Sequence, residues 1–147
     1  MKKIGINDLM VGNYVEIEGY GYHRIDDISD TDGEICDEDG ELYSLVEDRD
    51  NSQDVIKGIL LTPKFLVDNR FETTPDGIVP GVYSTITCWT GYGTDNEGDI
   101  EVEFRPEEKI HVKIDIPGYF FVSDNIKYIH QLQNIFTLFN IDKELSL

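Results

Sequence analysis

The chain has 147 residues, of which 39% are hydrophobic and 11% aromatic, and this is too much apolar material for a disordered chain despite a formal net charge of −18. At that length it holds one ordinary domain or two very small ones, with a real core in either case. The charge repels phosphate backbones and anionic membranes, so direct nucleic-acid binding and membrane attachment are not expected, and a partner selected by charge is a basic protein. No run of 18 apolar residues is present, and the opening "MKKIGINDLM" meets Gly5, Asn7 and Asp8 too early for a secretory signal, which makes a soluble, cytoplasmic protein the expectation. Cys36 and Cys88 form neither a CxxC pair nor a dense framework and read as two reduced thiols.

Short β-structure comes first. "NYVEIEG" alternates Val15 and Ile17 with polar neighbours, the pattern of a half-buried strand. "YHRIDDIS", "GEIC" and "ELYSLVE" follow, separated by Asp32-Gly33 and Asp39-Gly40, dipeptides that suit tight hairpin turns because they tolerate positive φ. Four or five strands at this spacing predict an SH3-like small barrel or a curled antiparallel sheet. In "LLTPKFLVDNRF", Thr62 is a natural N-cap and Pro63 fits the first helical position, so a helix of two turns is expected, with Phe65, Leu66 and Phe71 on its apolar side. The stretch 73–81, "TTPDGIVPG", reads as a linker or long loop. It separates a β-rich subdomain with its short linking helix, 1–72, from a second region, 82–147.

"VYSTITCW", "DIEVEF", "KIHVKIDI" and "YFFV" are the strands of that region. Two of them fix a register, because only one parity sets apolar beside apolar. It pairs Ile100 with Ile114, Val102 with Val112 and Phe104 with Ile110, places Glu101 beside Lys113 and Glu103 beside His111, and leaves "RPEEK" as a five-residue loop. Next, Ser123 is a candidate N-cap, and Ile126, Ile129, Leu132, Phe136 and Phe139 recur at helical spacing, with Ile135 and Leu138 widening the stripe. An amphipathic helix over 124–139, covering the second antiparallel sheet, is the expectation. The fold class is therefore α+β.

The helix carries His130, Gln131, Leu132, Gln133, Asn134, Ile135 and Phe136, a His-Gln-Leu-Gln-Asn core followed by an aliphatic and an aromatic residue. In this it resembles the tail of small uncharacterised proteins carried by Bacteroides-type bacteria and their phages and mobile elements. The same group is similar near the start, at "INDLMVGNYVEI", and in the middle, at "LLTPKFLVDNRFE". The sequence departs from the group where "FNIDKEL" replaces its usual Thr-Gly before the final Glu-Leu. The resemblance implies a genetic setting and a compartment, and supplies no activity.

Chemistry-bearing patterns are sparse. Fifteen acids against Arg24 and Arg49 give residues 16–54 a net charge of −13. An EF-hand does not fit this stretch, since Gly40 at the sixth loop position puts Ile35 first and Val46 twelfth; no metal and no cofactor are expected. His23, His111 and His130 lie on different elements without zinc-ligand spacing. "EGYGYH" and "TGYGTD" lack the offsets of a phosphate loop and read as turns, whose Tyr20, Tyr22 and Tyr92, with Trp89, are candidate recognition aromatics. The polar group His130, Gln131, Gln133 and Asn134 could orient a ligand or hydrogen-bond backbone. Asp30, Asp32, Asp37 and Asp39 at the hairpins, and Asp99, Glu101 and Glu103 on one strand face, are the candidate acidic surface. No nucleophile motif is present, so catalytic residues are not expected and a non-enzymatic binding protein is the first reading. An acidic decoy that mimics DNA and occupies a nucleic-acid-binding protein is the second, and an enzyme of unidentified class the third.

Overall fold

The computed structural model describes residues 4–29, 31–45, 54–73, 81–91, 94–105, 109–116 and 119–147. It is an α+β protein with two antiparallel sheets, a short helix and a C-terminal helix. Contacts divide the chain into two units, Met1–Leu60 with Tyr128–Asn134, and Leu61–Lys127 with Ile135–Leu147. Residues 74–80 of the expected linker lie outside the described residues.

In the first unit a 3-10 turn, Ile6–Asp8, precedes β1 (Tyr14–Ile17), β2 (Gly21–Ser29), β3 (Glu34–Asp37), β4 (Leu42–Ser44) and β5 (Ile56–Gly58). These form one sheet in the order β4-β3-β2-β1-β5. Alternation sends Val15 and Ile17 of β1 inward, where they join Ile4, Leu9, Ile25, Ile35, Tyr43 and Ile56 in one apolar cluster. The β1–β2 turn closes with Ile17 opposite Gly21, and Gly19 takes the left-handed backbone (φ 86°) that the turn requires. A register shift between Ile25 and Asp27 breaks the alternation of β2, and Asp26 and Asp27 both face solvent as a result. The sheet curls. Asp54 N–H donates to the Ser44 carbonyl on edge strand β4 (2.9 Å), while the next carbonyl, Val55, accepts from Glu18 beside β1 (3.0 Å).

The second unit begins with α1 (Pro63–Asp68), whose Thr62 Oγ1 accepts from Phe65 N–H at 3.2 Å and whose Phe65 and Leu66 are buried, as is Phe71 after it. It continues with β6 (Glu72–Thr73), β7 (Val82–Gly91), β8 (Thr94–Arg105), β9 (Lys109–Ile116) and β10 (Tyr119–Ile126). After α2 (Ile129–Leu138) comes β11 (Ile141–Asp142), and the sheet runs β10-β9-β8-β7-β11 with β6 also on β7. The β8–β9 register is the expected one: Ile100 faces Ile114, Val102 faces Val112 and Phe104 faces Ile110. Pairing runs one residue further, to Arg105 with Lys109, so the connection is 106–108 rather than the five residues of "RPEEK".

The C-terminal helix starts later than its sequence suggests. Ser123 is not its N-cap but a strand residue opposite Val112, and β10 persists to Ile126. The reason is competition: aromatic and β-branched residues at 119–122 continue a ladder along β9, and that pairing outweighs a local cap. Tyr128 then bridges Leu60 before α2 begins. Ile129, Leu132, Ile135 and Phe136 are buried, but Leu138 is 69% exposed, because six residues of helix carry it about 120° around from Leu132. Within the second unit Phe139 meets the Phe121 ring at 4.8 Å, and Asn69 ties the tail down by accepting from Ser146 N–H (2.8 Å) and donating to the Ser146 carbonyl (2.9 Å).

Candidate functional site

The polar residues of α2 divide by task. Gln133 Oε1 accepts from Tyr14 N–H at 2.9 Å, and its Nε2 donates to the Gly12 carbonyl at 3.1 Å. Asn134 Oδ1 accepts from Asn13 Nδ2 (2.8 Å), and Asn134 Nδ2 donates to the Asp8 carbonyl (3.2 Å). Gln131 Oε1 accepts from Tyr128 N–H at 3.0 Å, closing the first turn of the helix. These three amides satisfy backbone of the 8–14 segment and of α2 itself, which is what buried polar groups usually do.

His130 is different. It is 2% exposed, and its Nδ1 has no hydrogen-bond partner among the described residues. Burial pushes its pKa down, against the opposing pull of the Asp8 charge, so the imidazole is held toward its neutral form. Its ring stacks on Tyr128 with centroids 5.7 Å apart, and the opposite constraint on that tyrosine is Gly58, where a Cβ would sit 2.5 Å from the ring. His130 lines a cavity of about 330 Å³ together with Ile4, Asn7, Asp8, Tyr128 and Asn134.

A second constellation lies on the β3–β4 hairpin. Asp37 is 2% exposed, so it is not part of an acidic surface. Its Oδ1 accepts from Asp39 N–H (3.0 Å) and Glu41 N–H (2.9 Å), and its Oδ2 accepts from Tyr43 Oη (3.0 Å) and lies 2.8 Å from His23 Nδ1. His23 Nε2 meets the Tyr20 carbonyl at 3.1 Å. A ring nitrogen of His23 and carboxylate oxygens of Asp37 and Asp39 fall within 4.8 Å of one another, the one such metal-sized group among the described residues. Asp37 nevertheless has its four acceptor positions engaged by the fold, so the group reads as the anchor of a turn. That turn carries Glu38, Asp39 and Glu41, all exposed.

The remaining candidates are dispersed. Tyr20 and Tyr22 are exposed on the first unit, the Tyr20 ring meeting Tyr43 edge-on at 5.4 Å. Asp32 is exposed in its turn, and Asp30 and Tyr92 lie outside the described residues. Trp89 pairs through its backbone with Ile141, its side chain being outside the described set. In the second unit Asp99, Glu101 and Glu103 share one face of β8, but Lys113 pairs with Glu101 at 3.1 Å and Arg105 with Glu103 at 2.9 Å. A charged groove of about 540 Å³ on that unit is lined by Arg70, Glu72, Asp99, Glu101, Lys113 and Asp115.

Comparison with protein-family models, with curated proteins and with solved structures finds no match. Ile4, Asn7, Asp8 and Tyr128 were not legible as site residues, since no spacing connects positions 4–8 to 128–134. The structure joins "INDLMVGNYVEI" to the His-Gln-Leu-Gln-Asn segment, Asn134 accepting from Asn13 Nδ2 and donating to the Asp8 carbonyl, and Gln133 donating to the Gly12 carbonyl.

Proposed function

We propose that this chain is a non-enzymatic binding protein that recognises a basic protein partner through the acidic β3–β4 hairpin. The observation that carries the reading is the hairpin tip. A buried carboxylate, Asp37, holds the backbone of Asp39 and Glu41 in place, the Glu38 carboxylate accepts from Arg24 N–H, and the turn anchored in this way carries the exposed side chains of Glu38, Asp39 and Glu41. Preorganised charge loses less conformational entropy on binding than the same charge on a mobile loop. Exposed Tyr20 and Tyr22 in the same unit supply rigid contact area with polar tips. The form of a proton relay in His23, Asp37 and Tyr43 serves the turn, which favours binding over catalysis. Strand order supports the finer SH3-like reading, with β5 added beside β1 at one edge of a four-stranded meander. The setting proposed with this reading, on the resemblance, is the cytoplasm and a bacterial or phage gene set. Among the described residues no helix is long and apolar enough to cross a membrane.

The test is capture from a Bacteroides-type host lysate at low and moderate salt, with the intact chain and with Glu38→Gln, Asp39→Asn and Glu41→Gln combined. Asp37 is left in place so that the turn survives. A basic protein retained by the intact chain and lost by the neutralised one is the expected result; equal recovery by both contradicts it. The decoy reading draws on β8, where alternate residues Asp99, Glu101 and Glu103 lie about 7 Å apart, close to twice the rise of a duplex strand. Lys113 and Arg105 neutralise two of those three, which is why the hairpin is preferred. Displacement of the captured partner by duplex DNA would decide for the decoy.

A further inference from the structure

In the second unit the strand order leaves β10 at one edge of the sheet, and among the described residues no backbone hydrogen bond joins 119–126 to any strand but β9. An edge offers alternate N–H and C=O groups to any strand that can pair with them, and folds blunt it with charge, proline or a bulge. A register shift between Ser123 and Ile126 serves that purpose at the far end of β10. Ahead of it, residues 119–123, "YFFVS", contain no charge and no proline. Phe121 meets Phe139 on one face, while Phe120, 65% exposed, and Val122, 50% exposed, share the other.

Charge and register decide what pairs with this edge. Beside Phe120 and Val122, Lys113 is paired with Glu101 and Arg105 with Glu103, so no unpaired cation there selects an acidic segment. The strip itself is uncharged, which lets two chains of net charge −18 meet along it without opposing carboxylates. Directly opposed residues of an antiparallel pair share a face, so two such open faces become continuous only if a twofold axis sits at a residue and not between two. An axis at Phe121 sets Phe120 opposite Val122 of the second copy, and does so twice. An axis at Val122 sets Phe120 opposite Asp124, and an axis at Phe120 sets Val122 opposite residue 118, before the strand begins. With the axis at Phe121 each row across the junction reads Asp115, Phe120, then Val122 and Lys113 of the second copy, an apolar pair, aromatic beside β-branched, flanked by opposite charges.

We infer that β10 pairs antiparallel with β10 of a second copy about a twofold axis at Phe121, so that one sheet runs through both chains. The inference goes beyond the hairpin reading and uses none of its residues. Five residues of new ladder make a small interface, and the dimer is weak and concentration-dependent.

The full chain is run by sedimentation velocity from about 10 μM to about 1 mM, unaltered and as Val122→Glu and Phe120→Lys. Each new charge lies at an exposed position opposite an unlike charge of its own β9, Lys113 or Asp115, and two strands from a like charge of the second copy. A dimer of the unaltered chain, weakened at least about tenfold in both variants, is expected, with amide exchange within 119–123 slowing as concentration rises. Mixing the two variants sets the new glutamate opposite the new lysine and keeps one Phe120–Val122 pair, so the mixture associates more tightly than either variant alone. Should a variant fail to unfold cooperatively, the exchange measurement on the unaltered chain decides alone. A chain that stays monomeric to about 1 mM overturns the inference, as does a dimer that either variant retains, a mixture no tighter than its components, or protection confined to residues outside 119–123. A monomer whose 119–123 amides slow only with another protein bound assigns the edge to a foreign strand and overturns the second copy as its occupant.

Discussion

At Asp37, burial and hydrogen bonding act in opposite directions on one proton. Burial pushes its carboxyl up, but the Glu41 and Asp39 N–H groups, the Tyr43 hydroxyl and the His23 charge together outweigh it and hold the group below the ordinary carboxylate range. Tyr43, pushed up to about 12 by burial and by Asp37 itself, stays a donor throughout. Because the folded value lies below an unfolded value of about 3.9, the stabilisation is complete above that pH and is lost as the pH falls through the folded value. Asp37→Asn should therefore lose about 1–3 kcal/mol at pH 7 and show a flatter acid limb, measured by denaturant unfolding at pH 7 and pH 3. Parallel acid limbs for the two proteins would show that Asp37 is not linked to folding. Composition reveals that residues 16–54 are acidic, but not that one of those acids is internal. The Asp39-Gly40 turn signal was legible, whereas Asp37, two residues before it, read as part of the acidic surface rather than as the internal cap of the turn.

Elements differ in how far local sequence decides them. The β8–β9 ladder was legible to the residue because both strands alternate strictly, and a slip of one would bury Glu101 and Glu103. The start of α2 was not, because Ser123 is a good cap only if no strand claims it, and the claim comes from β9. The short strands β5, β6 and β11, of two or three residues each, carry no periodicity of their own and exist through their partners. Two substitutions test the packing. Leu132→Asp should cost about 3–5 kcal/mol, since Leu132 is fully buried on α2, and an unchanged thermal midpoint would mean the helix stripe is exposed instead. Gly58→Ala should cost about 1–3 kcal/mol, because the new methyl would lie 2.5 Å from the Tyr128 ring; circular dichroism melting decides it, and a neutral effect would show that the ring can move aside.

For the molecule as a whole, charge is the property that composition reports most directly and places least well. A net −18 makes a basic protein the expected kind of partner where charge selects one, but the useful carboxylates are those on backbone the fold holds still. On β8 the acids are partly neutralised by Lys113 and Arg105, while at the β3–β4 tip three remain exposed on an anchored turn. Folding also joins what the sequence separates by more than a hundred residues, since Gln133 and Asn134 bond to the 8–14 segment, and no linear pattern announces such a pair. The central claim, that the hairpin is the recognition surface, is tested most directly by hydrogen exchange on the chain alone and in complex with the captured basic protein. Slowed exchange at the amides of residues 38–43 is the predicted result. Protection confined to β8–β10, with the hairpin amides exchanging as they do in the free chain, would contradict it.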